Sequence, residues 1–207
     1  MMQWEQDLVS DIRTHSGFDY LDFHDGRIKT PPGWVWPPQE VMDDNRAALL
    51  DRFSRIQNQC PAILEVGVSR EENNSVTTTD IFLKNKKEST FYVGLDIDDK
   101  TYLDDSSKNI FTIKSDSAMV DSNLKIFKSL GISQFGFIFI DGWHSIDYVL
   151  HEWEYTKLLA PNGIIGFHDT TQRPGPYYFI RVLRRDVWHV EENVCLSNHG
   201  IGFAWRR

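Results

Sequence analysis

Along the chain, short unbroken apolar runs alternate with segments in which apolar residues recur every three to four positions. The runs occupy residues 62–66, 91–95, 109–113, 137–140 and 163–167. A strand with one wet face alternates apolar and polar residues, whereas a strand covered on both faces need not. Continuous β-rich runs therefore predict parallel strands held between two helical layers. The intervening segments supply the helices. Ala47, Leu50, Phe53 and Ile56 keep helical spacing behind Asp43 or Asp44 as cap. Leu124, Phe127 and Leu130 do so behind Asp121, with Gly131 as the stop. Ile146, Val149, Leu150 and Trp153 follow Ser145, and Pro161, Asn162 and Gly163 then turn the chain into the next strand. Strand, helix and strand in this order make βαβ crossovers, so the pattern predicts a doubly wound α/β domain.

Both ends depart from this rhythm. Residues 1–40 carry Pro31, Pro32, Pro37 and Pro38 around Trp34 and Trp36. Prolines forbid regular structure and paired tryptophans are costly to leave in water, which predicts an N-terminal arm folded over a domain of residues 41–207. Beyond Asp169, the Arg173-Pro174-Gly175-Pro176 stretch precedes a short helix near 178–185 and two strands near 187–190 and 201–205. A closing antiparallel pair brings the expected sheet to seven mostly parallel strands with helices on both faces.

Composition narrows the partners. At 207 residues, 41% hydrophobic and 25% charged, the chain suits one ordinary core. A net charge of −8, from 30 acidic against 22 basic residues, repels a phosphate backbone and disfavours nucleic acid as a partner. The apolar runs fall far short of a membrane span and the acidic start has no apolar core for export, so a cytoplasmic location without membrane association is expected. Cys60 and Cys195 show no metal or redox spacing and read as small buried hydrophobes.

In open parallel sheets, ligands lie beyond the carboxyl ends of the strands. All five ends are polar here: Glu65 and Gly67, Asp96 and Asp98, Asp116 and Ser117, Asp141 and His144, then His168 and Asp169. The 67–75 loop lacks the second and third glycines of a dinucleotide fingerprint, which disfavours NAD and FAD. Gly67 would still let a ligand approach bare backbone. Asp96 stands where a carboxylate can accept both ribose hydroxyls of a nucleoside, with Asp98 as competitor. Asp116, beside Ser117, is placed either to meet an adenine amino group or to cap the next helix.

Ile63-Leu64-Glu65-Val66-Gly67, Gly94-Leu95-Asp96-Ile97-Asp98, Ile140-Asp141-Gly142-Trp143-His144 and the 158–170 segment ending in His168-Asp169-Thr170 resemble the Rossmann-like class I S-adenosylmethionine-dependent methyltransferases. Within that family the last two motifs are most similar to the branch of macrocin-type sugar O-methyltransferases and cephalosporin-hydroxylase-like proteins. The resemblance implies S-adenosylmethionine as cofactor. Glu65 and Gly67 would line its methionine and ribose side, with Ser69 and Ser75 in the loop that follows, Asp96 on the ribose, and Asp116 and Ser117 on the adenine. It further implies a divalent metal, Mg by preference, on Asp141, His168 and Asp169, with His168 standing where relatives carry a carboxylate. His144 would be the general base and Asp141 would share in catalysis. A divalent ion touching the acceptor oxygen lowers its pKa and fixes its distance from the methyl group, and an imidazole can then take the proton.

The expected function is O-methylation of a small hydroxylated acceptor, a sugar or glycosylated metabolite, with homo-oligomerisation left open. Competing readings are a cofactor-binding relative without turnover, a metal-dependent hydrolase built on Asp141, His144, His168 and Asp169, and a glycan-binding accessory protein. His144 also reads as a packing or capping residue and His168 as a core histidine, while Arg173 and Tyr177 read as surface-turn residues or as acceptor lining.

Overall fold

A computed structural model describes residues 43–68, 77–171, 173–195 and 200–207. The expected N-terminal arm with Trp34 and Trp36, and the loop positions Ser69 and Ser75, lie outside the described residues. The elements run α1 (Asp43–Ile56), β1 (Ala62–Val66), α2 (Thr78–Asn85), β2 (Phe91–Asp96), β3 (Ile110–Lys114), α3 (Val120–Ser129), β4 (Phe135–Ile140), α4 (Ile146–Trp153), β5 (Leu159–His168), α5 (Pro174–Val182), β6 (Trp188–Cys195) and β7 (Ile201–Arg206). They build one seven-stranded sheet of order β3-β2-β1-β4-β5-β7-β6. Strands β1 to β5 pair in parallel, and β7 lies antiparallel between β5 and β6. Strand order reverses between β1 and β4, the switch point at which a crevice opens in such sheets.

Every residue of β1 and of β4 is buried, as their unbroken apolar runs require. Side chains alternate between faces. Ala62, Leu64, Val66, Ile138 and Ile140 meet Phe127 of α3, Trp153 of α4 and Phe179 of α5 on one side. Ile63, Phe137 and Phe139 meet Leu49 and Phe53 of α1 and Phe82 of α2 on the other. Both cysteines are free and buried. Among the described residues no helix is long and apolar enough to cross a membrane.

Four local expectations are corrected. α1 already includes Asp43 and Asp44. The N-cap position of α3 is Met119, which makes no side-chain cap bond, and Asp121 sits inside the first turn, where the helix dipole favours an acid. α5 begins at Pro174, since a proline in the first turn sacrifices no hydrogen bond, and ends at Val182. β5 begins at Leu159: the register passes from Phe135 opposite Leu159 to Phe137 opposite Ile164, so Pro161, Asn162 and Gly163 form an irregular stretch inside the strand. The Ser145 cap stands, its hydroxyl accepting from the Tyr148 N–H at 3.2 Å.

Candidate active site

The tips of β1, β2, β3, β4 and β5 surround a cavity of about 920 Å³ whose lining includes Gly67, Asp96, Ser117, Asp141, His144 and His168. That volume suits a nucleoside-sized ligand with a small molecule beside it. The floor is set by Gly67. Its φ of +82° lies in the left-handed region, and a Cβ there would stand 2.0 Å from the Asp141 carbonyl oxygen. The Asp141 N–H donates to the Val66 carbonyl at 2.8 Å and the Gly67 N–H to the Leu95 carbonyl at 2.9 Å. Bare backbone at Gly67 is therefore what lets the central strands close up beneath the cavity.

Hydrogen bonds and exposure set Asp96 apart from Asp98. Asp96 Oδ2 accepts the Val68 N–H and Oδ1 accepts the Asp98 N–H, both at 2.8 Å. Pinned this way, Asp96 lines the cavity with its remaining lone pairs available, whereas Asp98 is exposed and lines none of it. Asp116 and Ser117 form the far end. Asp116 Oδ1 accepts the Ala118 N–H at 2.9 Å and Oδ2 accepts the Tyr148 hydroxyl at 3.1 Å, so Asp116 shapes the turn before α3 without being its cap.

Glu65, expected along the methionine and ribose side, lies beneath the cavity wall and is fully buried. Residues 63 and 65 share a strand face, and that face meets α2. There Glu65 accepts from the hydroxyls of Thr78 at 2.7 Å, Thr79 at 2.9 Å and Tyr92. Burial pushes its carboxyl up to about 7 against the pull of these donors. The folded state then holds a proton that the unfolded chain releases near 4.5. Glu65 accordingly contributes stability that is complete below that value and is lost as pH rises through about 7. Glu65→Gln is expected to flatten the fall in melting temperature between pH 5 and 7; an unchanged slope would place the titration elsewhere.

At the ends of β4 and β5 two carboxylates face two imidazoles. His144 Nε2 lies 3.3 Å from Asp141 Oδ1 and 3.1 Å from Asp169 Oδ2. His168 Nδ1 lies 3.2 Å from Asp141 Oδ1 and 3.2 Å from Asp169 Oδ1. Asn45 of α1 approaches the other His168 nitrogen at 3.4 Å. Burial opposes charge on Asp141, His144 and His168, yet the mutual attraction outweighs it. The facing imidazoles hold Asp141 below the ordinary carboxylate range, and the carboxylates raise both histidines, His168 most. Asp169 is 5% exposed and has φ +59°, an uncommon conformation for a residue with a side chain.

One ligand atom each from Asp141, His144 and Asp169 lie within 4.8 Å of one another. Oxygen and imidazole donors this close fit a divalent first-row ion or Mg. His168, expected as a ligand, stands outside this set, and His144, expected as the base, stands inside it.

The start of α5 completes the site; of Arg173 and Tyr177, which read as surface-turn residues or as acceptor lining, only Arg173 reaches the cavity. The Gly175 N–H donates to the His144 carbonyl at 2.9 Å, and a Cβ at Gly175 would stand 2.5 Å from the Ser145 carbonyl oxygen. Arg173, just before it, lines the cavity with Nε 3.6 Å from Asp169 Oδ2. Tyr177 instead carries the Arg181 guanidinium 3.7 Å above its ring.

No protein-family model matches the chain, and no curated protein matches it. Solved structures do. The MycE methyltransferase of the mycinamycin biosynthetic pathway, solved with Mg, SAH and mycinamycin VI, superposes at TM-score 0.58 with 17% identity over 77% of this chain. The match takes in 48% of MycE, so the chain spans about half of that protein's length. A putative rRNA methylase from Clostridium thermocellum matches at TM-score 0.53 and 11% identity, over 79% of this chain and 94% of its own. A fibrillarin pre-rRNA processing protein from Methanococcus jannaschii matches at TM-score 0.51 and 14% identity, over 83% and 77%. The described chain carries the Rossmann-like fold that these structures share.

Proposed function

We propose that the protein is an S-adenosylmethionine-dependent methyltransferase that methylates a hydroxyl of a small acceptor with help from a divalent metal. One observation carries the reading: a single cavity at the switch point is lined by both the pinned Asp96 carboxylate and, beside it, Asp141, His144 and His168, with the buried Asp169 carboxylate against the two imidazoles behind them. The first suits the ribose of a nucleoside and the second suits a cation and a proton acceptor. The MycE structure, with Mg, SAH and a small-molecule substrate, supports placing these functions side by side. The net charge of −8 favours a small acceptor over a polyanionic one.

When bound, S-adenosylmethionine supplies an electrophilic methyl group and the ion lowers the pKa of the acceptor hydroxyl. The chain's own residues do the rest. Asp96 accepts from the ribose hydroxyls, and Gly67 exposes backbone along the same ligand. Asp141 and Asp169 provide the carboxylates of the cation site, which one imidazole completes. The other imidazole takes the hydroxyl proton on its ring nitrogen. Separate Ala variants at His144 and His168 assign these roles, since the ligand variant loses Mn binding and the base variant keeps Mn but loses turnover.

Asp96→Ala is expected to weaken S-adenosylhomocysteine binding by about 10- to 100-fold, the loss of a charged hydrogen bond. Asp98→Ala should leave it within about twofold. Calorimetry on the two variants is the test, and equal effects would remove Asp96 from the ribose.

A further inference from the structure

α4 grips the far end of the cavity with two side chains one turn apart. Tyr148 gives its hydroxyl proton to Asp116, and Glu152 Oε1 accepts the Ser117 hydroxyl at 2.7 Å. Glu152 is fully buried. Its other oxygen, Oε2, has no hydrogen-bond partner among the described residues. Oε1 also occupies the space behind Gly142, where a Cβ would stand 2.6 Å from it. Ser117 is held a second time through its carbonyl, which accepts the Tyr155 hydroxyl at 2.6 Å, and Asn123 in turn donates to that hydroxyl and to the Asp116 carbonyl.

A buried acid with an unpartnered oxygen is an expensive way to fill a core, since an apolar side chain of similar length would pack there without desolvation cost. Its effect is on Ser117. A hydroxyl has one proton and two lone pairs, and here the proton points to Glu152, away from the cavity. Asp116 as a carboxylate has no proton to give. The side chains of Asp116 and Ser117 therefore present acceptors alone, and the Tyr148 hydroxyl beside them donates its proton to Asp116.

We infer that Glu152 is a positioning residue that sets base selectivity: by taking the Ser117 proton it makes this end of the cavity an acceptor for the exocyclic amino group of adenine and a poor fit for a keto purine. The inference rests on the methyl-donor reading above and adds to it the residue that tells an amino purine from a keto one. Burial also pushes the Glu152 carboxyl up to about 8. The charged or titratable groups around it are Asp116, Asp141 and His144, with Tyr148 and Tyr155 beyond.

The test compares S-adenosylhomocysteine with its inosine analogue, in which the 6-amino group is a keto oxygen, by calorimetry on the full-length protein. The parent is expected to prefer the amino ligand by about tenfold or more. Glu152→Met frees the Ser117 proton to turn toward the cavity. It should compress the preference to within about threefold at an undiminished melting temperature, while Glu152→Gln, whose amide oxygen still accepts, restores it. Ser117→Ala should lose the preference as well, and it decides the matter if the Met variant fails to fold. A Met or Ala variant that discriminates like the parent overturns the inference, as does a parent that binds both ligands equally. A parent that binds neither ligand overturns the methyl-donor reading, and this inference falls with it.

Discussion

Asp141→Asn is expected to lower methyl transfer by at least about three orders of magnitude while S-adenosylhomocysteine still binds within a few-fold. The side chain and backbone of this residue do separate work. Its Oδ1 is shared between His144 Nε2 and His168 Nδ1 at 3.3 and 3.2 Å, and it is one of two carboxylates in the cation set. An asparagine keeps the shape but halves the negative charge of the cluster, so it weakens the ion and loosens both imidazoles together. The backbone tie to Val66, which helps to shape the nucleoside floor, is untouched. Manganese titration followed by electron paramagnetic resonance measures the first effect and calorimetry with S-adenosylhomocysteine the second. Labelled methyl transfer to a panel of hydroxylated acceptors reads the rate. An Asn variant that binds Mn as the parent does would take the metal away from Asp141, and a parent insensitive to chelator would take it out of the reaction.

The parts of this site that were legible in the sequence are those fixed by strand position. Strands buried on both faces leave continuous apolar runs, so 62–66, 91–95 and 137–140 fall inside β1, β2 and β4, and the residues directly after these runs, Gly67, Asp96 and Asp141, line the cavity. Sequence alone gives no means of choosing between Asp96, which ends β2, and Asp98, two residues on; what sets Asp96 apart is the Val68 N–H, 28 residues earlier, which holds its carboxylate at the cavity. The surroundings of Glu65 depend on α2, which the periodicity does not reveal: eight residues are too few for a full apolar stripe. The available signal was at its start, where Thr77 and Asp80 form a reciprocal capping box.

Glu152 and the Gly175 contact with the His144 carbonyl leave no mark in the sequence for a different reason. An acid on an amphipathic helix reads as its wet face, and Arg173-Pro174-Gly175-Pro176 reads as a loop. Both readings follow local rules that tertiary contacts override, at Ser117 in one case and at the His144 carbonyl in the other. A residue whose partner is distant in sequence carries no local mark of that partner.

Gly67→Ala tests the floor on which the whole site rests, and it is expected to destabilise the fold by about 3 kcal/mol or more. Two costs combine. At φ +82° an alanine is strained by roughly 1 to 2 kcal/mol whatever surrounds it. Its Cβ would also lie 2.0 Å from the Asp141 oxygen and 2.5 Å from the Asp141 carbonyl carbon, both backbone atoms that no rotamer change can move. Gly131→Ala separates the two costs, because Gly131 has a similar φ of +79° and open space where its Cβ would go. The Gly131 variant should lose only the conformational part, a fall in melting temperature of about 2 to 8 °C for a chain of this size, and the Gly67 variant should fall further, by about 6 to 12 °C or more. Relief of the clash must push the tip of β4 away from β1 and carry Asp141 and His144 with it, so the Gly67 variant should lose both S-adenosylhomocysteine and Mn binding while the Gly131 variant keeps both. Equal melting temperatures for the two variants, or intact binding of both ligands in the Gly67 variant, would mean that the strand tips do not close on bare backbone and that the cavity floor lies elsewhere.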